Sequence, residues 1–112
     1  MPSHHLISGE ALRISPTTHR LEGHEYGAGV SFFLVDYPPG KGNELHRHPY
    51  AEVFVVRSGR AAFTVDDDVV TAHGGDVVIV PAGTAHRFEC VGDERLVMTC
   101  IHAAGTMQSE WL

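Results

Sequence analysis

The sequence predicts an all-β fold, a jelly-roll barrel of short antiparallel strands. Three observations carry that reading. Short runs rich in Val, Phe, Ile and Thr recur along the chain, each bounded by Gly and Pro clusters. No stretch carries the period of a long amphipathic helix, and residues 106–111 have room for a single turn. The residues that stand out chemically gather in the middle of the strand pattern, as suits a barrel with a site inside it.

The expected strands follow in order. Runs 4–8 and 18–23 open the series, and residues 1–15 precede the barrel proper. Strand 30–37 ends at the turn Pro38, Pro39, Gly40. A short strand over 45–48 is interrupted by Pro49 and Tyr50. The run 51–57 sets Glu52, Phe54 and Val56 on one face and closes at Ser58 and Gly59. Runs 60–66 and 69–73 form a hairpin around Asp66, Asp67 and Asp68. Run 76–80 reads as a buried strand, and Pro81 and Gly83 turn the chain. Strand 86–91 then places His86, Phe88 and Cys90 on one face. In 95–102 the more apolar face carries Leu96, Met98, Cys100 and His102, so this face is expected inside. A chain of 112 residues suits one domain over 1–112, with one core. A barrel this small is filled by side chains around one modest pocket. Phe54, Phe88, Met98, Cys100 and Tyr50 are expected to line it, with Phe32, Phe33 and Tyr37 at its mouth.

His46, His48, Glu52 and His86 form the strongest chemical signal. On a strand, residues i and i+2 share a face roughly 6.5–7 Å apart. The imidazoles of His46 and His48 can therefore reach one ion. Glu52 and His86 each open an inward face of their own strand. Imidazole and carboxylate together suit divalent ions of the Mn, Fe, Ni, Cu and Zn series. With a divalent ion, three neutral imidazoles and one carboxylate leave a single positive charge. Octahedral coordination would leave two positions open, unlike the closed shell of a structural zinc site.

Composition excludes several partners. The formal charge is −6 and the arginines are scattered, which argues against nucleic acid. No apolar run approaches the ~20 residues that span a bilayer. The first residues lack the charged and apolar regions of a signal peptide. The expected location is cytoplasmic, where Cys90 and Cys100 stay reduced and act as small apolar residues. His4, His5, His19, His24 and His73 sit in polar or turn-rich surroundings and read as surface residues. Arg47, Arg57 and Arg87 alternate with inward residues and should point outward. No cation is then aimed at the ligand cluster, which counts against reactions that need a buried Arg to hold a carboxylate, such as oxalate decarboxylation. No Ser-His-Asp, Cys-His or phosphate-loop arrangement competes.

The spacing of these residues resembles that of the cupins, specifically small bacterial single-domain members. Their first motif is matched over 40–59: Gly40, five residues, His46 and His48, three residues, Glu52, six residues, Gly59. Their second is matched over 75–90: Gly75, five residues, Pro81 and Gly83, two residues, His86, three residues, Cys90. Only Cys90 departs, standing where the family usually has an Asn that is not a ligand. Ile101 and His102, with Glu110, Trp111 and Leu112, also resemble small bacterial cupins. The resemblance implies a double-stranded β-helix barrel and a metal on His46, His48, Glu52 and His86. It also implies a homodimer in which segment 1–15 exchanges between subunits. Some cupins keep the shape without a functional metal.

Two classes of function follow. The first is a metalloenzyme acting on a small organic molecule, by dioxygenase chemistry with a redox-active ion or by isomerase or lyase chemistry otherwise. His102 then reads as a proton-transfer group, or equally as a satisfied core histidine or one exposed at the strand end. The second is a non-catalytic module that binds or senses a small ligand. Turnover separates the two. The sequence names neither the metal nor the substrate.

Overall fold

The computed structural model describes residues 3–112. Its strands are β1 (Arg13–Ser15), β2 (Thr18–Leu21), β3 (Ser31–Tyr37), β4 (His46–Arg47), β5 (Glu52–Ser58), β6 (Arg60–Val65), β7 (Asp68–His73), β8 (Val77–Val80), β9 (His86–Val91), β10 (Leu96–His102) and β11 (Glu110–Trp111). They form two antiparallel sheets, in the orders β1-β2-β3-β10-β5-β8 and β11-β4-β9-β6-β7. The helical content is limited to single 3-10 turns at Gly9–Leu12 and Gly23–Tyr26. Among the described residues, no helix is long and apolar enough to cross a membrane.

Strict alternation builds the interior. On β5 the buried residues are Glu52, Phe54 and Val56; on β9 they are His86, Phe88 and Cys90. On β10 they are Leu96, Met98, Cys100 and His102, the face expected to turn inward. Phe54, Phe63 and Phe88 meet at the centre, with ring centroids 4.9–5.8 Å apart. Each such side chain contributes about 1.5–3 kcal/mol by leaving water. Two turns need their special residues. Gly59, between β5 and β6, has a φ of +78°, and a Cβ there would run into the Arg95 carbonyl. Asp66 turns β6 into β7 with a φ of 50°, a conformation that Asp tolerates better than most residues.

The chain ends differ from the sequence reading. Residues 4–8, expected as a strand, join neither sheet. Leu6 is 95% exposed, so nothing packs there to hold a strand. Ser8 instead caps the first 3-10 turn by accepting the Glu10 N–H. Segment 1–15 does not wholly precede the barrel, because β1 pairs with β2 at the edge of the larger sheet. Residues 106–111 do not form a helical turn. Their end is β11, laid antiparallel on β4 and fixed by the Leu112 N–H on the Leu45 carbonyl.

The outer face of the larger sheet is apolar at its centre. One cross-strand row runs Phe32, Ile101, Val53, Ile79, and the next runs Leu34, Thr99, Val55, Val77. Val77 is 54% exposed and Ile79 is 65% exposed.

Candidate metal centre

The predicted ligands converge. His46 on β4 stands opposite His86 on β9, and Glu52 opens β5 opposite His102 at the end of β10. His46, His48, Glu52 and His86 are all buried, and their ligand atoms lie within 4.8 Å of one another.

The chain holds each imidazole from behind. His46 Nδ1 lies 2.7 Å from the Glu44 carbonyl, His48 Nδ1 2.7 Å from the Gln108 carbonyl, and His86 Nδ1 2.9 Å from the Thr84 carbonyl. A carbonyl only accepts, so each Nδ1 carries the proton. That choice of tautomer leaves each Nε2 lone pair facing the shared centre. Glu52 Oε1 is 2.9 Å from His48 Nε2 and 3.1 Å from His86 Nε2. His48 Nε2 is fully buried and makes no hydrogen bond despite that approach. Three imidazoles and a carboxylate crowded into one buried site suit a cation, and the donor set is one that a divalent transition metal accepts.

The crowding of these groups also shapes their charge. Burial raises the Glu52 carboxyl, but the imidazoles of His102, His48 and His86 outweigh it and hold the group well below the usual carboxylate range. Burial lowers His46, which favours the neutral ligand form. Burial also pulls His48 down, yet the neighbouring Glu52 more than offsets this and its pKa is raised.

His102 sits beside this group. Its Nε2 is 3.2 Å from Glu52 Oε2 but is buried without a hydrogen bond. Its Nδ1 is 2.6 Å from the Tyr50 hydroxyl, which itself accepts the Gln108 N–H at 3.1 Å. The hydroxyl proton is therefore free to go to His102 Nδ1, which leaves the histidine proton on Nε2.

His46, His48 and Glu52 form one wall of a cavity of about 290 Å³, with His86 behind them. Phe88 and Cys100 line it, and so do Phe33 and Tyr37. Phe54 and Met98, expected in the lining, instead lie in the core beneath, because their places on β5 and β10 are one and two steps further in. Tyr50 is also absent from the lining, being stacked on the His48 ring at 5.0 Å. Phe32 belongs to the outer face, at the opposite parity on β3 from Phe33. Sequence reasoning missed Ile14 and Trp111 as lining residues. The only sequence signal for Trp111 was its place in a familiar-looking terminus. Among the described residues no lysine or arginine lines the cavity.

Cys90 is 1% exposed and its thiol donates to the Glu94 carbonyl at 3.2 Å. It and Cys100 are free, and burial pushes the Cys100 thiol well up.

The molecule is similar to known proteins over most of this framework. A family model described as a cupin domain matches residues 33–102. An uncharacterised protein of Streptomyces coelicolor is 43% identical over 74 residues, which is 66% of this chain and 69% of that protein. An uncharacterised protein of Methanocaldococcus jannaschii is 30% identical over 64 residues, 56% of this chain and 51% of that one. Among solved structures, oxalate decarboxylase of Bacillus subtilis, a protein with Mn(II) centres, superposes with a TM-score of 0.77 at 29% identity. That match covers 88% of this chain but only 29% of the decarboxylase chain. A cupin-like protein of Thermotoga maritima gives a TM-score of 0.76 at 25% identity, covering 85% of this chain and 74% of that one. The chain belongs to the cupin domain family.

Proposed function

We propose that this protein is a metalloenzyme that binds one divalent transition metal on His46, His48, Glu52 and His86 and acts on a small organic molecule in the adjoining cavity. The observation that carries the reading is the convergence of three buried imidazoles and a buried carboxylate, their ligand atoms within 4.8 Å of one another, beside a cavity. When bound, the ion would polarise oxygen atoms of a substrate or, if redox-active, support dioxygen chemistry. The chain's own part is to hold the substrate against that wall and to move a proton. His102 is the group that would carry the proton, since it lines the cavity and Tyr50 fixes its proton on Nε2.

The test begins with metal content in protein purified without a histidine tag. Near-stoichiometric iron or copper would direct the search to oxidisable substrates and dioxygen uptake. Zinc, nickel or manganese would direct it to isomerisation and lyase reactions. Absence of metal after reconstitution with each ion would refute the proposal. Ligand bound but never consumed would favour a sensor.

We also propose that the protein works as a homodimer. Support comes from the exposed apolar rows on the outer face of the larger sheet, which could meet the same face of a second copy about a two-fold axis. The exposed segment 3–12 would reach the partner. Ile79→Lys should convert a dimer to a monomer in light scattering. A monomer in the unaltered protein would refute this part.

A further inference from the structure

The cavity opposite the ligand cluster has a composition that selects its contents. The apolar and aromatic side chains of its remaining walls are Ile14, Phe33, Val35, Tyr37, Phe88 and Trp111, and Ser15, Thr18, Asn43 and Ser109 add hydroxyl and amide groups but no charge. The nearby ammonium of Lys41 lies over the Tyr37 ring at 5.0 Å and is not part of the lining. A divalent ion with Glu52 as its one anionic ligand carries a single net positive charge. A singly charged chelating ligand would bring that sum to zero. A dianion would leave one negative charge against walls whose described residues include no lysine or arginine to compensate it, and such a charge is costly to bury.

Trp111 adds a second constraint. It is 65% exposed, yet its ring lies 5.0 Å from the His46 ring and forms part of the cavity wall. Ile14, from the opposite end of the chain, is also in that wall and 49% exposed. The segment that carries Trp111 is anchored without the indole. Arg47 donates two hydrogen bonds to the Glu110 carboxylate at 2.8 and 3.0 Å, and Leu112 N–H binds the Leu45 carbonyl. The indole thus has an open face and is not needed as an anchor. An aromatic surface at the mouth of an apolar cavity gains most when a flat apolar group covers it.

We infer, resting on the metal reading above, that the substrate is a neutral or singly charged chelating molecule with a flat apolar body lying against Trp111, and not a small dicarboxylate. Trp111 is then a specificity-determining residue.

The test uses cobalt(II)-loaded protein, with the visible absorption of the ion as readout. Three probes are titrated: oxalate, a compact dianionic chelator; acetohydroxamate, a compact chelator that binds as a monoanion; and benzohydroxamate, with the same chelating head on a flat ring. Benzohydroxamate should bind at least about tenfold tighter than acetohydroxamate, a ratio equal to about 1.4 kcal/mol, and both should bind tighter than oxalate. Trp111→Ala should bring the two hydroxamates close together without loss of cobalt, and Trp111→Phe should restore most of the gap. Oxalate binding tightest, or a gap unchanged in Trp111→Ala, would overturn the inference while leaving the metal reading intact. A protein that takes up no cobalt would overturn both.

Discussion

Along β5 and β10 the inward face changes character within three steps. Glu52 stands opposite His102, then Phe54 opposite Cys100, then Val56 opposite Met98. At the apolar end, Phe54, Phe63, Leu96 and Met98 are at most 1% exposed. At the other end, His46, His48, Glu52, His86 and His102 are also buried, at 5% exposure or less. Burying apolar groups is favourable by itself. Burying an imidazole and carboxylate cluster is not, unless its polar atoms find partners, and two of these Nε2 atoms find none. The same strands thus carry a stabilising end and a costly end, and the costly end is where the candidate metal ligands sit.

Each end can be broken without the other. Phe54→Ala removes the ring that meets Phe63 and Phe88 and should lower the unfolding free energy by about 3–5 kcal/mol in denaturant titrations. The metal bound per folded chain should stay the same. His48→Ala should do the reverse. Most metal should be lost, with a fall in affinity beyond the roughly 10–100-fold typical of groups behind the ligands, while the metal-free fold melts near the metal-free parent. An unfolded variant, or an unchanged metal content, would contradict the assignment. The difference between metal-loaded and metal-free parent sharpens the picture further. At a free metal concentration of 100 times Kd, linkage gives about 2.7 kcal/mol, and the rise in Tm on loading should vanish in His48→Ala. Smallest is Tyr50→Phe, which takes the hydroxyl from His102 Nδ1 and the Gln108 N–H. It should cost about 1 kcal/mol of stability and shift the pH profile of any turnover while metal content holds. An unchanged profile would leave His102 a buried structural histidine.

These residues also show what was legible in the sequence. Strand alternation placed three of the four candidate ligands because each of His46, Glu52 and His86 sits at the start of its strand, where parity alone sets the face, while His48 follows directly after β4. The same parity turned Cys100 and His102 inward. It could not rank depth, so Phe54 and Met98 were expected in the cavity wall although they lie below it. It was also silent on β1 and β11. Strands of two or three residues carry no period: β1 folds back on β2 in a tight hairpin, whereas β11 exists because the distant β4 offers an open edge. Ile14 and Trp111 enter the cavity wall through these two pairings. The contact between Tyr50 and His102 joins positions 52 residues apart and left no trace in local pattern.

The hydrogen bond from His48 Nδ1 to the Gln108 carbonyl has a consequence for the order in which the molecule is assembled. It links residues 60 positions apart, so His48 acquires its final orientation only after the segment around Gln108 has been synthesised and docked. Contacts of such long range carry a large loop-closure cost that must be met before they form. A nascent chain that has released both cupin motifs but not residues 106–112 would hold the ion weakly. An ion held on these residues would then be captured in full only once the barrel has closed.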